Sequence, residues 1–79
     1  MRKVYLIIYP ATENDKDFIF KYLYLVGYDF KYHAEDNLFL IREFESEIGS
    51  IQNSISEHLI RKNIDFAIDL TLCQDGYAS

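Results

Sequence analysis

Six consecutive side chains near the start, Val4-Tyr5-Leu6-Ile7-Ile8-Tyr9, carry neither charge nor amide, and Pro10 closes the run. β-Branched and aromatic residues suit a pleated backbone, and the run is of strand length rather than helix length. Successive side chains of a strand point to opposite sides, so this strand is apolar on both. That is the pattern of a strand in the middle of a sheet.

The next segments read as a helix and a hairpin. Thr12 can cap a helix, with Asp15 three residues on and Glu13, Asp15 and Asp17 placing negative charge at its start. At about 100° per residue, Phe18, Ile19, Tyr22, Leu23, Leu25 and Val26 form one wide apolar face, and Gly27 is the expected terminator. Phe20 and Tyr24 fall on the opposite side with Glu13 and Asp17. Tyr28-Asp29-Phe30-Lys31-Tyr32-His33 alternates as a half-buried strand does. A polar turn follows, Ala34-Glu35-Asp36-Asn37, and a second strand runs from Leu38 to about Phe44.

Ser46 is expected to open a second helix reaching about Asn63, with the stripe Ile48, Ile51, Ile55 and Leu59. In the last strand, Ile64, Phe66, Ile68, Leu70 and Leu72 alternate with Asp65, Ala67, Asp69 and Thr71. The order βαββαβ, joined by short connections and right-handed crossovers, predicts an α+β ferredoxin-like sandwich. Its four-stranded antiparallel sheet has order 4-1-3-2, and both helices lie on one face. The two strands that are apolar on both sides are those this arrangement makes central. Residues 1–73 form one domain and 74–79 a C-terminal tail.

Two helices shield one face of the sheet, so the other is where a binding surface is expected. Tyrosines tolerate water, which puts Tyr5, Ile7 and Tyr9 outward. In the third strand either Phe39 and Ile41 or Leu38 and Leu40 face out. The candidate interface takes Phe39 and Ile41, flanked by Asp65 and Asp69 on one side and by Asp29, Lys31 and His33 on the other. Five such side chains are expected to expose on the order of 400 Å², worth roughly 10 kcal/mol gross when covered, against association costs of about 4–15 kcal/mol, which allows a face-to-face homodimer or a complex with another protein without compelling either. Phe20 and Tyr24 on the first helix form a second candidate surface. A competing arrangement folds the C-terminal residues over the sheet with Tyr77 as a plug.

Composition narrows the function classes. Of 79 residues, thirteen are acidic and eight basic, for a net charge of −5, which disfavours nucleic acid and anionic membranes as partners. Seven tyrosines and six phenylalanines let a short chain build a core from few residues. One cysteine, Cys73, allows neither an intrachain disulfide nor a cysteine metal cluster, and a small domain without disulfides points to a reducing compartment. No stretch approaches the roughly 20 apolar residues of a membrane span, nor is there a signal-peptide core, so a cytoplasmic location is expected. His33 with Glu35 and Asp36 is a weak metal set on a polar turn, and His58 lies on the polar margin of the second helix. Phosphate loops and nucleophile triads are missing. No cofactor, metal or catalytic group is expected.

Val4-Tyr5-Leu6 resembles the start of the first strand of the RNA-recognition fold, which stacks bases on aromatics of its middle strands. Asn37 to Phe44 departs from that family's basic and glycine-spaced third-strand signature. Small dimeric CRISPR-associated nucleases and ligand-sensing regulatory domains share the topology. The nucleases' metal-binding Asp at the end of the first strand is replaced here by Tyr9-Pro10, and no glycine-rich ligand turn is present. The expectation is a small acidic, non-enzymatic protein-binding module acting through its open sheet face. Inhibitors, antitoxin or immunity proteins and phage-encoded regulators are of this kind, and a partner with a basic surface would suit the charge. The alternatives are a homodimeric ligand-sensing domain and a nucleic-acid-binding or processing protein.

Overall fold

The computed structural model describes residues 2–72. Its elements are β1 (Lys3–Pro10), α1 (Glu13–Val26), β2 (Phe30–His33), β3 (Leu38–Phe44), α2 (Glu45–Arg61) and β4 (Phe66–Leu72). The strands form one antiparallel sheet in the order β2-β3-β1-β4. This is the ferredoxin-like α+β fold, with β1 and β3 central as their apolarity on both sides requires. Cys73, the plug residue Tyr77 and the tail 74–79 lie outside the described residues.

Side-chain alternation puts Val4, Leu6 and Ile8 of β1 on the same side as Phe39 and Ile41 of β3, because Leu6 pairs with Ile41 and Ile8 with Phe39. Onto this layer pack Ile19 and Leu23 from α1 and Ile48, Ile55 and Leu59 from α2, all buried. Phe30 and Tyr32 of the short edge strand β2 surround Phe39, with ring centroids 6.0 and 4.8 Å away. Offset and tilted ring pairs of this kind add to the area they bury.

Local chemistry sets the ends of α1. The Thr12 hydroxyl accepts from the Asp15 amide, and the Asp15 carboxylate accepts from the Thr12 amide and hydroxyl, a closed capping box. The other Asp15 oxygen accepts from the Asp65 amide at 3.4 Å, tying the start of α1 to the approach of β4. At the far end Gly27 takes φ +95°, a left-handed conformation that costs a glycine little, and its amide reaches Leu23.

Several boundaries differ from the sequence reading. Helix α2 begins at Glu45, directly after β3, and Ser46 is inside it. Its N-cap is Phe44, which makes no side-chain cap. It ends at Arg61, and Asn63 adopts φ +58° while Ile64 donates back to Leu59. Pairing of β2 starts at Phe30 rather than Tyr28, and that of β4 at Phe66, opposite Pro10, rather than Ile64. Leu25 and Val26, which the helical spacing assigns to the buried face of α1, are 81% and 52% exposed. Leu25 lies about 120° round the helix from Ile19, off the Asp15-Ile19-Leu23 line that meets the sheet, and Val26 is the helix's last residue. His58 is not a bystander on a polar margin. Its ring stacks on Tyr22 at 4.1 Å and 8° between planes, closing the seam between the helices.

Candidate interaction face

The uncovered side of the sheet follows from register. Each residue of a strand that points away from the helices lines up with its paired neighbours into a row across the sheet. The middle row is Lys31–Leu40–Ile7–Asp69, running from β2 through β3 and β1 to β4. On one side of it lies Arg42–Tyr5–Thr71, and on the other the pairs His33–Leu38 and Tyr9–Ala67. The centre of the face is therefore apolar and aromatic: Tyr5, Ile7, Tyr9, Leu38 and Leu40. Lys31, His33, Arg42 and, just before β2, Asp29 occupy the β2–β3 half, Lys3 stands at the start of β1, and Asp69 occupies the β4 edge. Tyr5, Lys31, His33, Leu40 and Arg42 border a shallow hollow of about 380 Å³.

The predicted site residues are distributed over several places. Tyr5 and Ile7 are half-buried on the open face, Tyr9 is 38% exposed there, and Asp69 stands on its edge. Phe39 and Ile41 do not belong to the face. They are 0% and 1% exposed and sit in the core, so they cannot meet a partner. The outward residues of β3 are Leu38 and Leu40. The reason is size: Phe39, the largest apolar side chain of that strand's first half, occupies the ring cluster under α1. Asp65 precedes β4, exposed, with its backbone engaged by Ala11 and Asp15.

Phe20 and Tyr24 lie on the helix layer, away from the open face. Phe20 is 45% exposed, and its ring meets Phe30 edge-on at 5.3 Å. Tyr24 is 73% exposed and, with Leu25 and Lys21, borders a second shallow hollow on α1. The sequence reading missed Leu25 as part of this patch.

The electrostatics of the face are simple. The Asp69 carboxylate accepts from the Leu70 amide at 2.8 Å, which holds it at the outer edge of β4. Lys3, at the start of β1, lies over the Phe44 ring with its nitrogen 4.8 Å from the centroid. Among the described residues, no group of three His, Cys, Asp or Glu side chains could hold a metal ion, and no helix is long and apolar enough to cross a membrane. No family model matches the chain, and no curated protein and no solved structure matches it.

Proposed function

We propose that this chain is a non-enzymatic protein-docking module that works by presenting its helix-free sheet face to a protein partner. The observation that carries the reading is the apolar centre of that face, Tyr5, Ile7, Tyr9, Leu38 and Leu40, contiguous across two strands and flanked by charge. Contiguous apolar patches rimmed by polar groups often mark interaction surfaces. Tyrosines in such a patch offer large contact area with a polar tip. A module of this kind acts by occupying a surface, as inhibitors, antitoxins and small regulators do, and needs no reactive group. The charges of the face favour a partner carrying both signs: an acidic group to meet Lys31, and a basic one to meet Asp69.

The test is site-specific photo-crosslinking in cells that produce the protein, with the crosslinker placed in turn at Ile7, at Leu40 and, as a control, at exposed Glu57 of α2. Protein adducts at the first two positions and not at the third are expected. Adducts equally frequent at all three, or none, would remove the basis of the reading. The same probe at Tyr24 reports whether the patch on α1 is a second docking point.

A further inference from the structure

We infer that the open face is self-complementary and that its occupant is a second copy of this chain, seated face to face about a two-fold axis parallel to the strands. This rests on the docking reading above and names the partner.

The argument comes from the middle row, whose members run basic, apolar, apolar, acidic: Lys31, Leu40, Ile7, Asp69. When two sheets pack face to face, a symmetric pair can place its axis either along the strands or across them. An axis along the strands reverses the order of strands while keeping each row opposite itself. Strand β2 of one copy then lies over β4 of the other. Lys31 faces the second copy's Asp69, Leu40 faces its Ile7, and both contacts recur by symmetry. In the neighbouring row Arg42 comes over the second copy's Tyr5, a guanidinium on an aromatic face. Leu38 meets Tyr9 on the other side. An axis across the strands and along the same middle row instead sets Lys31 on Lys31 and Asp69 on Asp69, and like charges in register repel. The charge order of one row thus selects one of two dimers.

The size of the face sets the strength expected. Four strands spaced about 4.8 Å apart and about six residues long cover roughly 19 by 20 Å, on the order of 400 Å². A standard stable interface covers about 800 Å² per partner, so this dimer should dissociate in the micromolar range or above.

The experiment is sedimentation velocity on the full chain, from about 1 µM to about 1 mM, with native mass spectrometry of mixtures in which one copy is isotope-labelled. The proteins are wild type, Lys31→Glu, Asp69→Lys, the equimolar mixture of these two variants, and Ile7→Asp, each checked for fold by circular dichroism. Wild type should pass from monomer to dimer across this range. Each charge variant alone places like charges opposite one another twice and should weaken dimerisation roughly tenfold or more. In the mixture, the carboxylate introduced at position 31 of one variant meets the ammonium introduced at position 69 of the other. The native Asp69 and Lys31 still meet at the symmetry-related contact, so a heterodimer of near wild-type affinity should form. A variant that merely damaged the fold could not be rescued in this way. Ile7→Asp should remain monomeric throughout. A strictly monomeric wild type, a mixture that fails to recover, or dimers that survive Ile7→Asp would each overturn the inference. If wild type is monomeric while crosslinks from Ile7 in cells reach a different protein, the docking reading stands and only its self-pairing form falls.

Discussion

The two sides of the sheet are made from the same strands, yet they differ in composition and end in different environments. On the helix side, Val4, Leu6, Ile8, Phe39 and Ile41 are buried almost completely. On the other, Tyr5, Ile7, Leu38 and Leu40 are only half-buried among the described residues. The helix side of β1 and β3 carries aliphatic residues and one Phe through these positions, with a charge only at Glu43, beside Val4 near the end of β3. The open side mixes in Tyr5, Tyr9 and Arg42, side chains that can keep a polar end wet. The difference shows that apolarity on both sides places a strand at the centre of a sheet, whereas the polar tips show which side the helices leave uncovered.

The sharpest way to break this comparison is to truncate neighbours on one strand that point to opposite sides. Phe39→Ala should lower the stability to denaturant by about 3–5 kcal/mol, since it empties a ring cluster that cannot collapse. Leu40→Ala should cost about 1 kcal/mol or less, because its side chain is already partly in water. Similar losses for the two, by equilibrium urea unfolding of monomer at low concentration, would mean that the open side is covered after all.

How far the chain's own chemistry discloses this asymmetry varies from element to element. Thr12, Asp15 and Gly27 announce the ends of α1 because capping is local, and the structure has both caps where those residues stand. The register of β3 is harder to read. Leu38-Phe39-Leu40-Ile41 has no polar residue to break the tie, and the candidate interface took the wrong pair. The signal that decides it lies across the hairpin. With the four-residue turn 34–37, His33 pairs with Leu38 and Tyr32 with Phe39, so the clean inward alternation of Phe30 and Tyr32 carries Phe39 and Ile41 inward too. The exposure of Leu25 and Val26 has no such local signal. A helix's own sequence does not show how far the sheet beneath it extends. Asp69 was readable as an outward charge from the alternation of β4, but its place in one row with Ile7, Leu40 and Lys31 needed the pairing of all four strands.

The comparison can be sharpened by loosening the cover rather than the sheet. Asp15 is buried, closes the capping box with Thr12 and also accepts from the Asp65 amide. Asp15→Ala should therefore cost about 1–2 kcal/mol in the same unfolding measurement, by loss of a cap and of the link between α1 and β4. Because α1 then sits less firmly on the helix side, hydrogen exchange should rise in α1 and at the start of β4, with β2 and β3 changing least. A loss spread evenly over all four strands would show that the cap stabilises the whole fold rather than the placement of one helix.

The smallest effect is expected at the seam between the two helices, where Tyr22 stacks on His58. Burial, and secondarily the neighbouring Tyr28, raises the Tyr22 hydroxyl above its ordinary pKa of 10.0. In the folded chain the proton is thus held more tightly than in the unfolded one. The associated stability is fully present below about pH 10 and is lost as pH rises through the raised value, because the unfolded tyrosine ionises first. Tyr22→Phe removes this group while keeping its ring. The variant's stability should therefore fall less steeply than wild type's once the pH passes about 10. Parallel slopes for wild type and Tyr22→Phe would mean that the helix seam is as open to water as the uncovered face, and the contrast between the two sides would rest on the sheet-facing core alone.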